Sequence, residues 1–138
     1  MSRCVAPLAW CRRTLLVLAT LSVSAACSDL GPETPQQDEL QEAKERWQSL
    51  RPARYVYTVE RLCFCPEDAR GPVRVTVDGE TIVSQLYDDG RAVEASAVEW
   101  FPSVDGLFEV LREAFDGGAH EVRVSYDPQL GVPVDFWI

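Results

Sequence analysis

The chain has 138 residues, with 22 acidic against 13 basic side chains, one methionine and one histidine. A formal charge of −9 on about one domain's length argues against a nucleic-acid partner, because binding phosphate backbones needs a positive face. With Met1 the only methionine and His120 the only histidine, thioether and multi-histidine metal sites are excluded as well.

Arg3, Arg12 and Arg13 precede an apolar run, Thr14–Val23, and Ser24-Ala25-Ala26-Cys27 supplies small residues ahead of a cysteine. This is the layout of a secretory signal. The uncharged stretch from Thr14 to Ala26 covers 13 residues, whereas a membrane-spanning helix takes about 20. Residues 1–26 are therefore expected to be cleaved. Cys27 after three small residues is similar to a bacterial lipobox, which makes it the candidate lipid attachment site and the membrane the expected partner through an N-terminal lipid anchor. Ser24 stands where such motifs usually carry leucine, and ordinary cleavage at the same bond is the alternative. Arg12-Arg13 leaves both general and twin-arginine export open. All 22 acidic residues follow Cys27 and three of the basic ones precede it, so the mature chain carries 10 basic side chains and a charge of −12.

Residues 27–37, rich in proline and polar side chains, are expected to form a lipidated tether, and residues 38–138 a single domain. Asp38 with Gln41 suggests a helix start of the capping-box type, and Leu40, Ala43, Trp47 and Leu50 recur at helical spacing until Pro52. Arg54–Phe64 is dense in β-branched and aromatic residues and predicts a strand, with Tyr55, Tyr57, Val59, Arg61 and Cys63 on one face.

Val73, Val75 and Val77 alternate up to Asp78-Gly79, which predicts a tight hairpin. That turn would set Val77 opposite Glu80, Val75 opposite Ile82 and Val73 opposite Ser84, burying Val73, Val75, Ile82 and Leu86. Asp88-Asp89-Gly90 reads as a turn, and residues 91–102 as a loop with some helical or extended turn. Ser103 is the expected N-cap of a second helix whose apolar face is Val104, Leu107, Phe108, Leu111 and Phe115, ended by Gly117-Gly118. A final hairpin joins Val122, Val124 and Tyr126 to Val132, Val134, Phe136 and Ile138 through Asp127–Gly131. The fold class is thus α+β, an antiparallel sheet in the order α-β-β-β-α-β-β with its helices on one face.

The combination of the signal, the Trp-bearing first helix, Tyr55-x-Tyr57, Arg61-x-Cys63-x-Cys65, the Asp78-Gly79 hairpin, Val104–Phe108 and Tyr126-Asp127 to Gly131-x-Pro133 resembles a family of small exported bacterial lipoproteins of unknown function. The resemblance implies a cell-envelope location and supports the fold, and it implies no known activity. The usual catalytic constellations are poorly represented in the sequence. No serine sits in a nucleophile elbow and no glycine-rich phosphate loop is present. The expectation is a protein that is not an enzyme, with no cofactor and no metal, acting as a binding or structural module for an envelope protein or small ligand. Tyr55, Tyr57 and Trp137 are candidates for an aromatic binding face.

Cys63 and Cys65 are the cysteines left for the folded domain. A regular strand holds residues i and i+2 too far apart for a disulfide, so a bond requires the chain to bend near Pro66. A local disulfide in an oxidising compartment is the expectation. A redox-active pair, half of a metal site and two free buried thiols are the alternatives. Mass spectrometry of the exported protein should show an acylated Cys27 at the mature N-terminus; an unmodified Cys27 would overturn the anchor.

Overall fold

The computed structural model describes residues 34–138. The predicted signal peptide, Cys27 and most of the predicted tether lie outside the described residues. The element order is α1 (Pro35–Leu50), β1 (Arg54–Val59), β2 (Val73–Asp78), β3 (Thr81–Tyr87), α2 (Val104–Asp116), β4 (Arg123–Tyr126) and β5 (Pro133–Trp137), with short 3₁₀ turns at Glu67–Ala69 and Val98–Trp100. This is the predicted α+β order. The strands form two antiparallel sheets, β1-β2-β3 and β4-β5.

Helix α1 starts earlier than expected. Thr34, not Asp38, is the N-cap: its hydroxyl accepts from the Gln37 amide, and Gln37 Oε1 accepts from the Thr34 amide at 2.8 Å. Pro35 fills the first helical position, where a missing N–H costs nothing. Residues 34–37, assigned to the tether by the sequence, thus belong to the start of the helix. Leu40, Ala43 and Trp47 are buried as predicted, whereas Leu50, at the helix end, is exposed.

The first hairpin departs from the predicted register. Asp78 pairs with Thr81 and Val77 with Ile82, so Gly79 and Glu80 form the turn, with Gly79 at φ 62°. The pairing then shifts, and Thr76 lies opposite Ser84, Val75 opposite Gln85 and Val73 opposite Tyr87. Val83 is the extra residue of a β-bulge, and a one-residue slip reverses every side chain beyond it. Gln85 and Tyr87 therefore face inward where Leu86 was expected. Gln85 Nε2 donates to the Val98 and Phe101 carbonyls at 2.8 and 2.7 Å, which holds the second 3₁₀ turn over the sheet. Phe101, in a segment predicted only as a loop, is fully buried against Val73, Val75, Val77 and Tyr87.

A second cluster joins Leu40, Ala43 and Trp47 of α1 to Val104, Phe108 and Leu111 of α2, with Val122, Val124, Tyr126, Val132 and Phe136 packed against it. Ser103 caps α2 as predicted, its hydroxyl accepting from the Gly106 amide at 3.2 Å. Lys44–Glu109 (2.7 Å) ties α1 to α2, and Arg51–Asp105 (2.8 Å) ties the end of α1 to the start of α2. Tyr55 and Tyr57 touch both clusters. Burial raises the Tyr57 hydroxyl above its ordinary range and pushes Tyr126 up to about 12, with the Glu39 charge adding to the latter.

A bulge also shapes the last hairpin. Ser125 pairs with Asp135 and Tyr126 with Pro133, so Val134 has no partner and is exposed, contrary to the predicted alternation. The turn before it is bound by Asp127, whose Oδ1 accepts from the Gln129 and Leu130 amides at 2.9 and 2.7 Å. Gly131 follows at φ 79°, and a Cβ there would overlap the Ala43 carbonyl of α1. Both the backbone conformation and the close approach require glycine. Gly131→Ala should lower stability by about 3 kcal/mol or more, because the hairpin must back away from α1. Gly79→Ala, with open space around it, should cost only about 1 kcal/mol. Urea denaturation midpoints check the contrast, and equal losses would mean the hairpin does not seat on α1.

Candidate functional site

The predicted strand Arg54–Phe64 ends at Val59, because its partner β2 begins at Val73 and the residues before it, Gly71 at φ 88° and Pro72 without an N–H, cannot continue the ladder. Cys63 and Cys65 therefore sit in the β1–β2 connection, not on a strand face. Backbone bonds close the base of this loop: the Arg61 amide donates to the Arg70 carbonyl (2.6 Å), and the Ala69 and Arg70 amides donate to Pro66 and Glu67. The Tyr87 hydroxyl donates to the Asp68 carbonyl at 2.6 Å, and Ala69 is buried beneath the turn. Arg70 Nε reaches back to the Cys65 carbonyl at 2.9 Å.

Above that base, the Cys63 and Cys65 sulfurs lie within bonding distance of each other, with Cα atoms 5.2 Å apart. Both cysteines are half-buried, while the residues that alternate with them point away from the protein. Leu62 is 95 % exposed and Phe64 113 % exposed on the extended-chain scale. Leaving two large apolar side chains in water forgoes roughly 1.5–3 kcal/mol each. The Arg61 guanidinium lies 4.4 Å from the centre of the Trp100 ring, itself 44 % exposed, and desolvation lowers its pKa. The result is a tip, Arg61–Pro66, with an apolar end and an Arg-Trp pair at its foot.

The other sequence candidates fall elsewhere. Tyr55 and Tyr57 are core side chains: Trp47 meets the Tyr55 ring edge-on at 5.0 Å, the Tyr57 hydroxyl donates to the Pro102 carbonyl, and the Tyr55 hydroxyl accepts from the Val104 amide. They form no aromatic binding face. Trp137 is exposed, with Arg123 5.5 Å from its ring centre. His120 is exposed beside a surface depression of about 320 Å³ lined also by Gln37, Phe115 and Glu121. Among the described residues, no three His, Cys, Asp or Glu side chains converge on a point.

Leu62, Phe64 and Trp100 were not singled out from the sequence. The signal was present in the alternation of Leu62, Cys63, Phe64 and Cys65, but read as a strand it placed Leu62 and Phe64 on a sheet face. A family of unknown function, DUF6174, matches residues 39–138. The chain belongs to this family. The match covers every strand and both helices but for the first turn of α1, so the tip is a part of the DUF6174 domain. No curated protein and no solved structure shows significant similarity to the chain.

A bond between Cys63 and Cys65 closes a loop of only three residues, for which the chain-entropy formula gives about 1.6 kcal/mol. Replacing both cysteines by serine should lower stability by about 1–2 kcal/mol and leave the far-ultraviolet circular dichroism unchanged. A loss above about 4 kcal/mol would show that the pair supports the core, not only the tip.

Proposed function

We propose that the protein is a non-catalytic binding module of the bacterial cell envelope, tethered to a membrane through Cys27, which engages its partner with the Arg61–Pro66 tip. One observation carries the reading: Leu62 and Phe64 stand clear of the protein on a loop whose base is bound at Arg61–Arg70, Arg70–Cys65 and Tyr87–Asp68. Apolar side chains held out by an ordered scaffold bind without the cost of ordering them first. A mobile loop would hide them against the core.

Thiol exchange or metal handling through Cys63 and Cys65 finds less support. The sulfurs belong to half-buried residues, and the only strongly exposed groups at the tip are hydrocarbon. A reactive thiolate needs a cation beside it, and Arg61, two residues before Cys63, is stacked on Trp100. The acidic sequence supports the location by keeping the domain soluble and off nucleic acid.

The test is a photoreactive phenylalanine analogue at position 64 in the full chain, expressed in a bacterial cell that exports it. Position 134, apolar and also exposed on β5, serves as the comparison. Adducts at 64 should exceed those at 134 several-fold. Equal yields would remove the tip as the contact surface.

A further inference from the structure

The chemistry of the tip is layered. Leu62 and Phe64 form the end, and Trp100 and Arg61 lie together at the foot with Arg70 bonded to the Cys65 carbonyl. Among the described residues, six of the ten basic groups, Lys44, Arg51, Arg54, Arg91, Arg112 and Arg123, lie within 4.0 Å of a carboxylate. Among these same described residues, Arg46, Arg61, Arg70 and Arg74 have no such partner, and two of these four, Arg61 and Arg70, lie at the tip and its base, although Glu60, Glu67 and Asp68 are close in sequence. Exposed apolar side chains at the end, with an indole and the Arg61 guanidinium stacked together behind them, match the profile of a membrane–water interface, from acyl chain to headgroup phosphate.

Resting on the reading that the tip is the contact surface, we propose that its partner is the phospholipid bilayer itself. Leu62 and Phe64 enter the acyl boundary, Trp100 lies at headgroup depth, and Arg61 and Arg70 face lipid phosphate. Geometry favours lipid over a protein partner. Six residues lie between Cys27 and Thr34, and the seven peptide steps from one to the other span at most about 25 Å at full extension. An acylated Cys27 therefore keeps the domain within reach of the bilayer and raises the local concentration of that surface above that of any diffusing protein. Two insertions, one acyl and one through the tip, fix the orientation of the domain where one would leave it free to turn. The mature charge of −12 selects a zwitterionic surface over an anionic one.

Trp100 is a natural probe. Trp47 is buried, so Trp137→Phe in the acylated mature chain leaves Trp100 as the one accessible indole among the described residues. The protein is reconstituted into vesicles of phosphatidylcholine brominated near the headgroup end of its acyl chains. Emission should fall by about 1.5-fold relative to unbrominated vesicles, and adding Leu62→Ser with Phe64→Ser should abolish that fall while the circular dichroism is retained. No quenching, or equal quenching in the serine variant, overturns the lipid contact. Lack of quenching together with enriched protein adducts at position 64 overturns the lipid inference alone. Adducts at 64 no higher than at 134 overturn the reading on which it rests.

Discussion

Two tyrosines on one strand hold the domain together. Tyr55 and Tyr57 project from the inner face of β1 and pack into both apolar clusters, one between the three-stranded sheet and the Ala92–Phe101 segment, the other between the helices and the β4–β5 hairpin. Trp47 meets Tyr55 edge-on, and the two hydroxyls bind the Pro102 carbonyl and the Val104 amide at the entry to α2. A tyrosine suits this position because its ring fills apolar space while its hydroxyl satisfies a backbone group that burial would otherwise strand. The start of α2 is thereby fixed to β1, and Arg51–Asp105 repeats the connection from α1.

Around that link, two single-residue bulges decide which side chains face the core. In β3 the extra residue, Val83, brings Gln85 inward, and its amide then draws the Val98–Phe101 segment over the sheet. In β5 the extra residue, Val134, is turned to solvent, and Phe136 keeps its place in the helical cluster. Gly131 completes the arrangement by allowing the hairpin backbone to lie directly against Ala43. Small local departures from regular geometry thus set the contacts between elements.

The same logic produces the tip. Residues 60–65 have the composition of a strand, but β2 starts only at Val73, so their backbone has no ladder to join. The chain turns out and back across the Arg61–Arg70 bond, and the alternation that would have served a sheet sorts cysteines inward and Leu62 and Phe64 outward. An apolar tip on an acidic domain is a local reversal of surface character. It places hydrocarbon where the remainder of the surface would exclude a partner of like charge.

The sequence by itself determined the element order, the α2 face, the α1 face up to Trp47, the Ser103 cap and the approximate place of the turns, the first of which lies one residue further on, because each rests on contacts within a few residues: 3.6-residue periodicity, side-chain caps, and glycines at positive φ. It also marked Cys63 and Cys65, since no other cysteine follows Cys27. It misplaced the N-cap by four residues, although Thr34-Pro35-Gln36-Gln37 carries the capping signal, because Asp38-Glu39-Leu40-Gln41 has a similar one. Only the tertiary structure decided the hairpin registers, the division into two sheets, the burial of Phe101 and the exposure of Leu62 and Phe64. A bulge changes the pairing without a fixed residue signature, and a strand exists only where a partner lies alongside it. Both depend on residues distant in the chain, and periodicity along the chain carries no record of them.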